Sequence, residues 1–308
     1  MWFLLFEISV ITTVSCLTFE GRSYRRLYAL LSMNGLGFAS AGLVLCALNL
    51  SGVEGVSEFM VTTLLCLVLL VKIPSFPFSI WLPEAHVEAT WPGSVILAGY
   101  SMKFASLATL SFIVASVSSQ DFILGCCLLS TLVAAFGMAT TVDVKKSVAF
   151  FSVLHMSLSF IALSNTSEFL TIGSLSWHHH SLITSCLFVI VGLSYVTSAS
   201  RLSRLLFSNG QLKAVLSIVL LAVASMSCDL PWSVNSTIEL VGVRALGDSK
   251  VYLLAVFIVS FFVIIVTVMK LLHSWSPRPF DSYGDPRVTH NSQAVLILAI
   301  CSLLFVIL

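Results

Sequence analysis

Apolar runs of about twenty residues, each long enough to cross a bilayer as a helix, recur down this 308-residue chain. They lie at about 2–19, 27–50, 59–82, 94–117, 122–141, 147–163, 169–198, 214–246, 251–273 and 294–308, which predicts about ten transmembrane helices. The short alternating segments of a membrane β-barrel are missing, so the expected class is all-α integral membrane. Two runs are interrupted: 59–82 by Pro74 and Pro77 just after Lys72, and 214–246 at Asp229-Leu230-Pro231. Proline removes a backbone donor and clashes with the preceding turn. Two discontinuous helices are therefore expected, and at membrane depth such breaks are tolerated only against protein or water. The run 27–50 carries Ser32, Asn34, Gly35, Gly37, Ser40 and Gly42, small residues that permit close helix–helix approach.

Composition agrees. Charged residues make up 9% of the chain and hydrophobic residues 58%, whereas a soluble domain carries about 25% charged residues. The net charge of +1 is uninformative, but its distribution is not. With alternating spans, one side receives Arg22, Arg25, Arg26, Lys145, Lys146, Arg201, Arg204, Lys213, Lys270, Arg278 and Arg287; the other receives Lys250 and Arg244. That asymmetry places the basic side in the cytoplasm or mitochondrial matrix, with both termini on the outer face. The eight cysteines lie mostly inside apolar runs and form no Cys-x-x-Cys, which favours small buried hydrophobes over disulfides or metal ligands. No iron–sulfur spacing, Gly-x-Gly-x-x-Gly or Walker lysine occurs, so redox cofactors and nucleotides are expected on other chains. The N-terminus has no basic stretch and Glu7 interrupts its first apolar run, which argues against a cleaved signal peptide.

Against this apolar background a few ionisable residues stand out: Glu7, Lys72, Lys103, His155, His178, His179, His180 and Glu239. Each costs a few kcal/mol at hydrocarbon depth, which makes each a functional candidate. Each also has a structural reading. A lysine can snorkel or pair with one carboxylate, and Glu7 with Lys72 can be a static pair holding two helices. His155 and His180 can be satisfied core histidines or proton carriers, since imidazole titrates near neutral pH. Three consecutive histidines on a helix face different directions, so His178–His180 make no chelating set, and no metal is expected. His178 and His179 are expected to pack or bond locally. Glu84, His86 and Glu88 follow a proline-rich stretch and are expected to shape the loop between the two lysine helices. Asp143 with Lys145 reads as a solvated helix start.

The stretch from Lys72 to Ala89 (Lys-x-Pro, then Ile-Trp-Leu-Pro-x-Ala-His-Val-Glu-Ala), followed by Gly93-Ser94 and Lys103, resembles the antiporter-like subunits of NADH:ubiquinone oxidoreductase, complex I. That family is shared with multisubunit cation/proton antiporters. The resemblance continues in order. Phe6-Glu7 is similar to the family's fifth helix, Lys72 matches its seventh-helix lysine and Lys103 its eighth-helix lysine. Asp143 to Met156 resembles the tenth helix, His180 to Phe188 the eleventh, and Leu230 to Leu240 the broken twelfth. Glu239 stands where subunit 4 of the mitochondrial complex has glutamate and its sister subunits have lysine, so the likeness is to subunit 4. Ser79, Thr90 and Ala105-Ser106-Leu107 depart from the family pattern.

By this resemblance the chain is one transmembrane domain, 1–308, with antiporter-like inverted repeats. Residues 1–117 form a first-repeat portion holding Glu7, Lys72 and Lys103, and 122–274 a second-repeat portion holding His155, His180 and Glu239; 294–308 is a C-terminal helix. The first four family helices are missing, which leaves the first repeat incomplete and suggests that a separate polypeptide supplies them. The resemblance implies a proton-translocating membrane-arm subunit in the mitochondrial inner membrane with basic loops facing the matrix. Its partners would be other membrane-arm subunits, neighbouring antiporter-like subunits and lipids; nucleic acid would not be a partner. FMN, iron–sulfur clusters and ubiquinone would sit on other subunits. The implied proton chain is Glu7 with Lys72 as a switchable pair, Lys103 as central relay, His155 and His180 onward, and Glu239 as terminal group. Burial disfavours a charged lysine and a nearby carboxylate favours it, so moving Glu7 relative to Lys72 would change proton affinity. Two other readings stay open: a subunit of a free-standing cation/proton antiporter, and a non-pumping scaffold, which would gain nothing from four costly buried charges.

Overall fold

The computed structural model describes residues 24–51, 58–101, 103, 120–163, 169–198, 202, 255, 258–259 and 262–267. The expected spans at 2–19, 214–246 and 294–308, and with them Glu7 and Glu239, lie outside the described residues. Among the described residues the chain is helical, and its one β pairing is an isolated antiparallel bridge between Asp143 and Leu202. The elements are α1 (Tyr24–Ser51), α2 (Glu58–Lys72), a 3-10 turn (Phe78–Ile80), α3 (Trp81–Glu88), α4 (Trp91–Ile96) running into a π turn (Leu97–Ser101), α5 (Gln120–Thr140), α6 (Val144–Leu163) and α7 (Phe169–Ser198). Stretches long and apolar enough to cross a bilayer include Asn34–Ser51, Phe122–Thr140 and Val144–Ile161.

The core is built around α6, which packs against α3, α5 and α7. It is buried nearly all round: Val148, Ala149, Phe151, Val153, Leu154, Met156, Leu158 and Ile161 belong to one apolar core. Its serines let neighbouring backbones come close, and their hydroxyls are bonded. Ser157 Oγ donates to Val153 O at 2.8 Å, and Ser159 Oγ accepts from Ser176 Oγ of α7 at 3.1 Å. By contrast α5 has two apolar faces. Ile123, Cys127 and Ala134 point inward, whereas Phe122, Leu129, Val133 and Phe136 are exposed. An apolar outer face is what a lipid-facing helix requires. Of the small residues of α1, Ser40 lies buried on the face that packs against α2, whereas a Cβ at Gly35 or Gly42 would meet nothing within 4 Å.

After Lys72 the helix stops for a local reason. Pro74 has no N–H to give Leu70 O, the carbonyl four residues back. Ser75 takes over that acceptor, its amide donating at 3.1 Å and its hydroxyl at 3.2 Å. The Phe76 amide, which would have continued the ladder to Lys72 O, donates instead to Ser130 Oγ of α5 at 2.5 Å. The Phe76–Pro77 peptide bond is cis. The chain resumes as the 3-10 turn and α3, ends α3 at Ala89 in an extended conformation, and starts α4 with Thr90 as N-cap and Pro92 in the first turn. The span expected at 59–82 thus divides at Lys72, and the next begins at Trp91 rather than Ser94.

The register of α4 and its π turn against α7 is set by two glycines. At Gly192 a Cβ would lie 2.7 Å from Trp91 Cβ, and at Gly99 a Cβ would lie 2.3 Å from Ser185 Oγ. Trp91 meets residue 192 and Gly99 meets residue 185, so the two segments run antiparallel. Continuing one turn brings Lys103 opposite the stretch that starts at Ser181 and His180.

Candidate functional site

Four of the six sequence-predicted site residues fall on described positions, and all four are buried: Lys72, Lys103, His155 and His180. Lys72 is the last residue of α2. A basic residue in the last turn is favoured by the negative end of the helix dipole, typically by about 0.3–1 kcal/mol. The Pro74 break creates that end, so the proline and the lysine act as one device.

Lys103 is 3% exposed, and its Nζ donates to Ala98 O in the π turn. Lys103 is thus bonded within its own segment. The wider π turn at Leu97–Ser101 brings the carbonyl five residues back within reach of the side chain.

His155 of α6 and His180 of α7 form a stacked pair with ring centroids 5.4 Å apart and an interplanar angle of 25°. Phe151 lies against both, 4.2 Å from His155 and 6.0 Å from His180 between centroids. Nε2 of His180 is buried without a hydrogen-bond partner among the described residues. Lys103 lies close enough to His180 for a charge on one to be felt by the other. The structure therefore joins three predicted residues, Lys103, His180 and His155, in one buried electrostatic group contributed by three packed segments. The histidine triplet divides as its periodicity requires: His178 is exposed, and His179 and His180 are buried.

Two further polar residues belong to this region and were placed differently by the sequence. Lys145, expected at a solvated helix start, is 6% exposed and its Nζ donates to Ala89 O at the end of α3. The helix start itself is real. Asp143 Oδ1 accepts from the amides of Lys145 at 3.0 Å and Lys146 at 3.4 Å, which is N-capping geometry. Packing of α3 across α6, rather than local sequence, buries the first lysine while Lys146 stays half-exposed and pairs with Glu84 at 2.5 Å.

His86, expected to shape a loop, lies in α3 with no exposed surface and stacks on Phe188 of α7, centroids 4.5 Å apart at 20°. One signal could have found it. Trp81, Leu82, Ala85 and Ala89 repeat with helical period, and His86 falls beside Leu82 and Ala89 on that buried face.

A family model described as NADH:quinone oxidoreductase/Mrp antiporter, TM, matches residues 1–266. NADH-ubiquinone oxidoreductase chain 4 of Chlamydomonas reinhardtii is 40% identical over 134 residues, covering 42% of this chain and 30% of that protein. NADH-quinone oxidoreductase subunit M of Rickettsia felis is 37% identical over 131 residues, 41% of this chain and 27% of that protein. The matched stretch thus spans less than a third of these relatives' length.

Among solved structures, a chain of respiratory complex I from Thermus thermophilus superposes with a TM-score of 0.81 at 18% identity, covering 99% of this chain and 70% of that one. A chain of the Mrp complex from Dietzia sp. gives 0.78 at 17% identity, covering 98% and 70%. At these identities the structural likeness is one of fold. With the family model matched across residues 1–266, the buried lysine and histidine group sits on a recognised scaffold: this chain belongs to the NADH:quinone oxidoreductase/Mrp antiporter transmembrane family.

Proposed function

We propose that this chain is a proton-translocating membrane-arm subunit of a respiratory NADH:ubiquinone oxidoreductase. The observation that supports it most directly is the buried group Lys103, His180 and His155, supplied by three segments and held away from solvent. A buried lysine and two imidazoles in electrostatic contact titrate as a unit, so a proton placed on one alters the affinity of the others. That coupling is what a relay needs and what a static core does not. Lys72, at the end of α2, supplies a second buried cation whose helix can shift at the proline break.

In this reading Glu7 tunes Lys72, Lys103 receives a proton, His180 and His155 pass it along, and Glu239 ends the chain. Electron transfer, with FMN, iron–sulfur clusters and ubiquinone, belongs to other subunits, and this chain responds to it through conformational and electrostatic coupling. The charge asymmetry supports a mitochondrial inner-membrane setting with basic loops toward the matrix, and the likeness to NADH-ubiquinone oxidoreductase chain 4 is in keeping with it.

The test is Lys103→Ala in the intact complex, with NADH oxidation and proton translocation measured together in sealed vesicles. Proton translocation is expected to fall sharply while the assembled complex persists on native electrophoresis. An unchanged proton-to-electron ratio would overturn the relay role. The family description also covers cation/proton antiporters, which makes a free-standing antiporter subunit the second reading. It predicts sodium- or potassium-coupled proton exchange without NADH, and migration apart from any NADH-oxidising band.

A further inference from the structure

His86 is a fully buried titratable side chain that the relay above leaves unused. It has no exposed surface, and neither Nδ1 nor Nε2 has a hydrogen-bond partner among the described residues. Its ring is held by stacking on Phe188, and its backbone carbonyl accepts from Ser94 Oγ at 3.2 Å, which fixes α3 against the start of α4. The ring is thus held by its apolar faces, and both polar edges remain for other partners. Buried polar groups in native proteins are bonded to protein or to ordered water, so two unpartnered nitrogens on one fixed ring point to water.

The surroundings give that water a direction. The charges of both Lys103 and Lys145 act on His86. Lys145 Nζ donates to Ala89 O, three residues beyond His86, and the next residue, Lys146, pairs with Glu84 of α3 where both side chains are about a third exposed (32% and 37%). Glu84, Lys146, Lys145, His86 and Lys103 therefore lead from a solvent-accessible ion pair to the centre of the relay.

We propose that His86, with water bound at both ring nitrogens, is the proton-conducting link between the basic surface at Glu84–Lys146 and Lys103. This deepens the proton-translocation reading and rests on it. Facing two lysines, His86 works as neutral imidazole. An N–H bond forms at one nitrogen as the water on the Glu84–Lys146 side gives up a proton and is itself reprotonated from solvent; the N–H bond at the other nitrogen breaks as its proton passes through the second water to the neutral amine of Lys103. The ring ends in its other tautomer with no net charge gained, and a half-turn about the Cβ–Cγ bond, which keeps the ring in its plane against Phe188, resets it.

Two measurements on the intact complex test the link. In sealed vesicles His86→Met, similar in bulk but unable to bind or relay a proton, is expected to slow NADH-driven proton uptake at the basic side about 100-fold, the low end of what positioned proton transfer contributes. Added imidazole should restore part of that rate, which a merely structural defect would not allow. Native uptake in His86→Met alongside loss of translocation in Lys103→Ala would overturn the His86 link and leave the relay standing. Native behaviour in both variants would overturn the relay itself. Should His86→Met not assemble, the unaltered complex decides: cryo-electron microscopy at water-resolving quality is expected to show ordered water on both nitrogens of His86, and a dry ring would overturn the link.

Discussion

The contact between Gly192 of α7 and Trp91 of α4 makes a demanding prediction, because it sets the register of the relay without touching it. In Gly192→Ala the new Cβ would lie 2.7 Å from Trp91 Cβ, 2.8 Å from its Cγ and 3.1 Å from its Cδ2. Carbon atoms settle at roughly 3.5–4.0 Å, so the helices must separate by about 1 Å. Trp91 Cβ is tied to the backbone and its ring is bulky, so the strain passes to the helix axes. Overpacking of this kind typically costs about 1–3 kcal/mol. The functional effect should be larger than the stability effect suggests, since a misplacement of about 1 Å between reacting groups can cost on the order of 100-fold in rate.

The assay pairs thermal inactivation of the detergent-solubilised complex with NADH-driven proton translocation in vesicles. Gly192→Ala is expected to lower the inactivation temperature and to depress translocation more than NADH oxidation. The control is Gly125→Ala in α5, where a Cβ meets nothing within 4 Å and alanine is favoured over glycine in a helix by up to about 1 kcal/mol. Equal behaviour of the two variants would refute the claim that this helix contact positions Lys103 against His180.

Other expectations are simpler. Asp143→Ala removes the N-cap of α6 and should destabilise the assembled subunit by about 0.5–2 kcal/mol, read from its denaturation midpoint; restoration by Asp143→Asn would confirm the capping role. Ser130→Ala leaves the Phe76 amide without its acceptor beside the Lys72 break, at a cost of about 1–3 kcal/mol, and thermal inactivation should register it. Lys146→Ala removes a pair that water already screens, so stability should change by less than about 1 kcal/mol; a larger loss would mean the Glu84–Lys146 contact clamps α3 to α6.

Much of this protein was decided by local sequence. The long apolar runs dictate helices, because a chain in lipid must satisfy its own backbone. The break after Lys72 follows from Pro74, and Thr90 and Asp143 mark helix starts through capping chemistry that depends on near neighbours alone. The extent of α7, Phe169–Ser198, is likewise legible from its unbroken apolar run. Sequence also nominates Lys72, Lys103, His155 and His180, since an ionisable group in an apolar run is conspicuous wherever it points.

Which of those groups meet was decided by tertiary structure. A membrane helix is apolar toward lipid and toward protein alike, so hydrophobic pattern does not say which face is inward. The exposed Phe136 and buried Ala134 of α5 carry no distinguishing signal. The pairing of His155 with His180 depends on α6 lying against α7, and the approach of Lys103 depends on two glycines, at 99 and 192, finding a serine and a tryptophan across a helix interface. For the same reason Lys145 and His86, which local sequence assigns to a polar helix start and a loop, are buried. Helix crossing is a sum of contacts between residues distant in the chain, and only the assembled fold evaluates that sum.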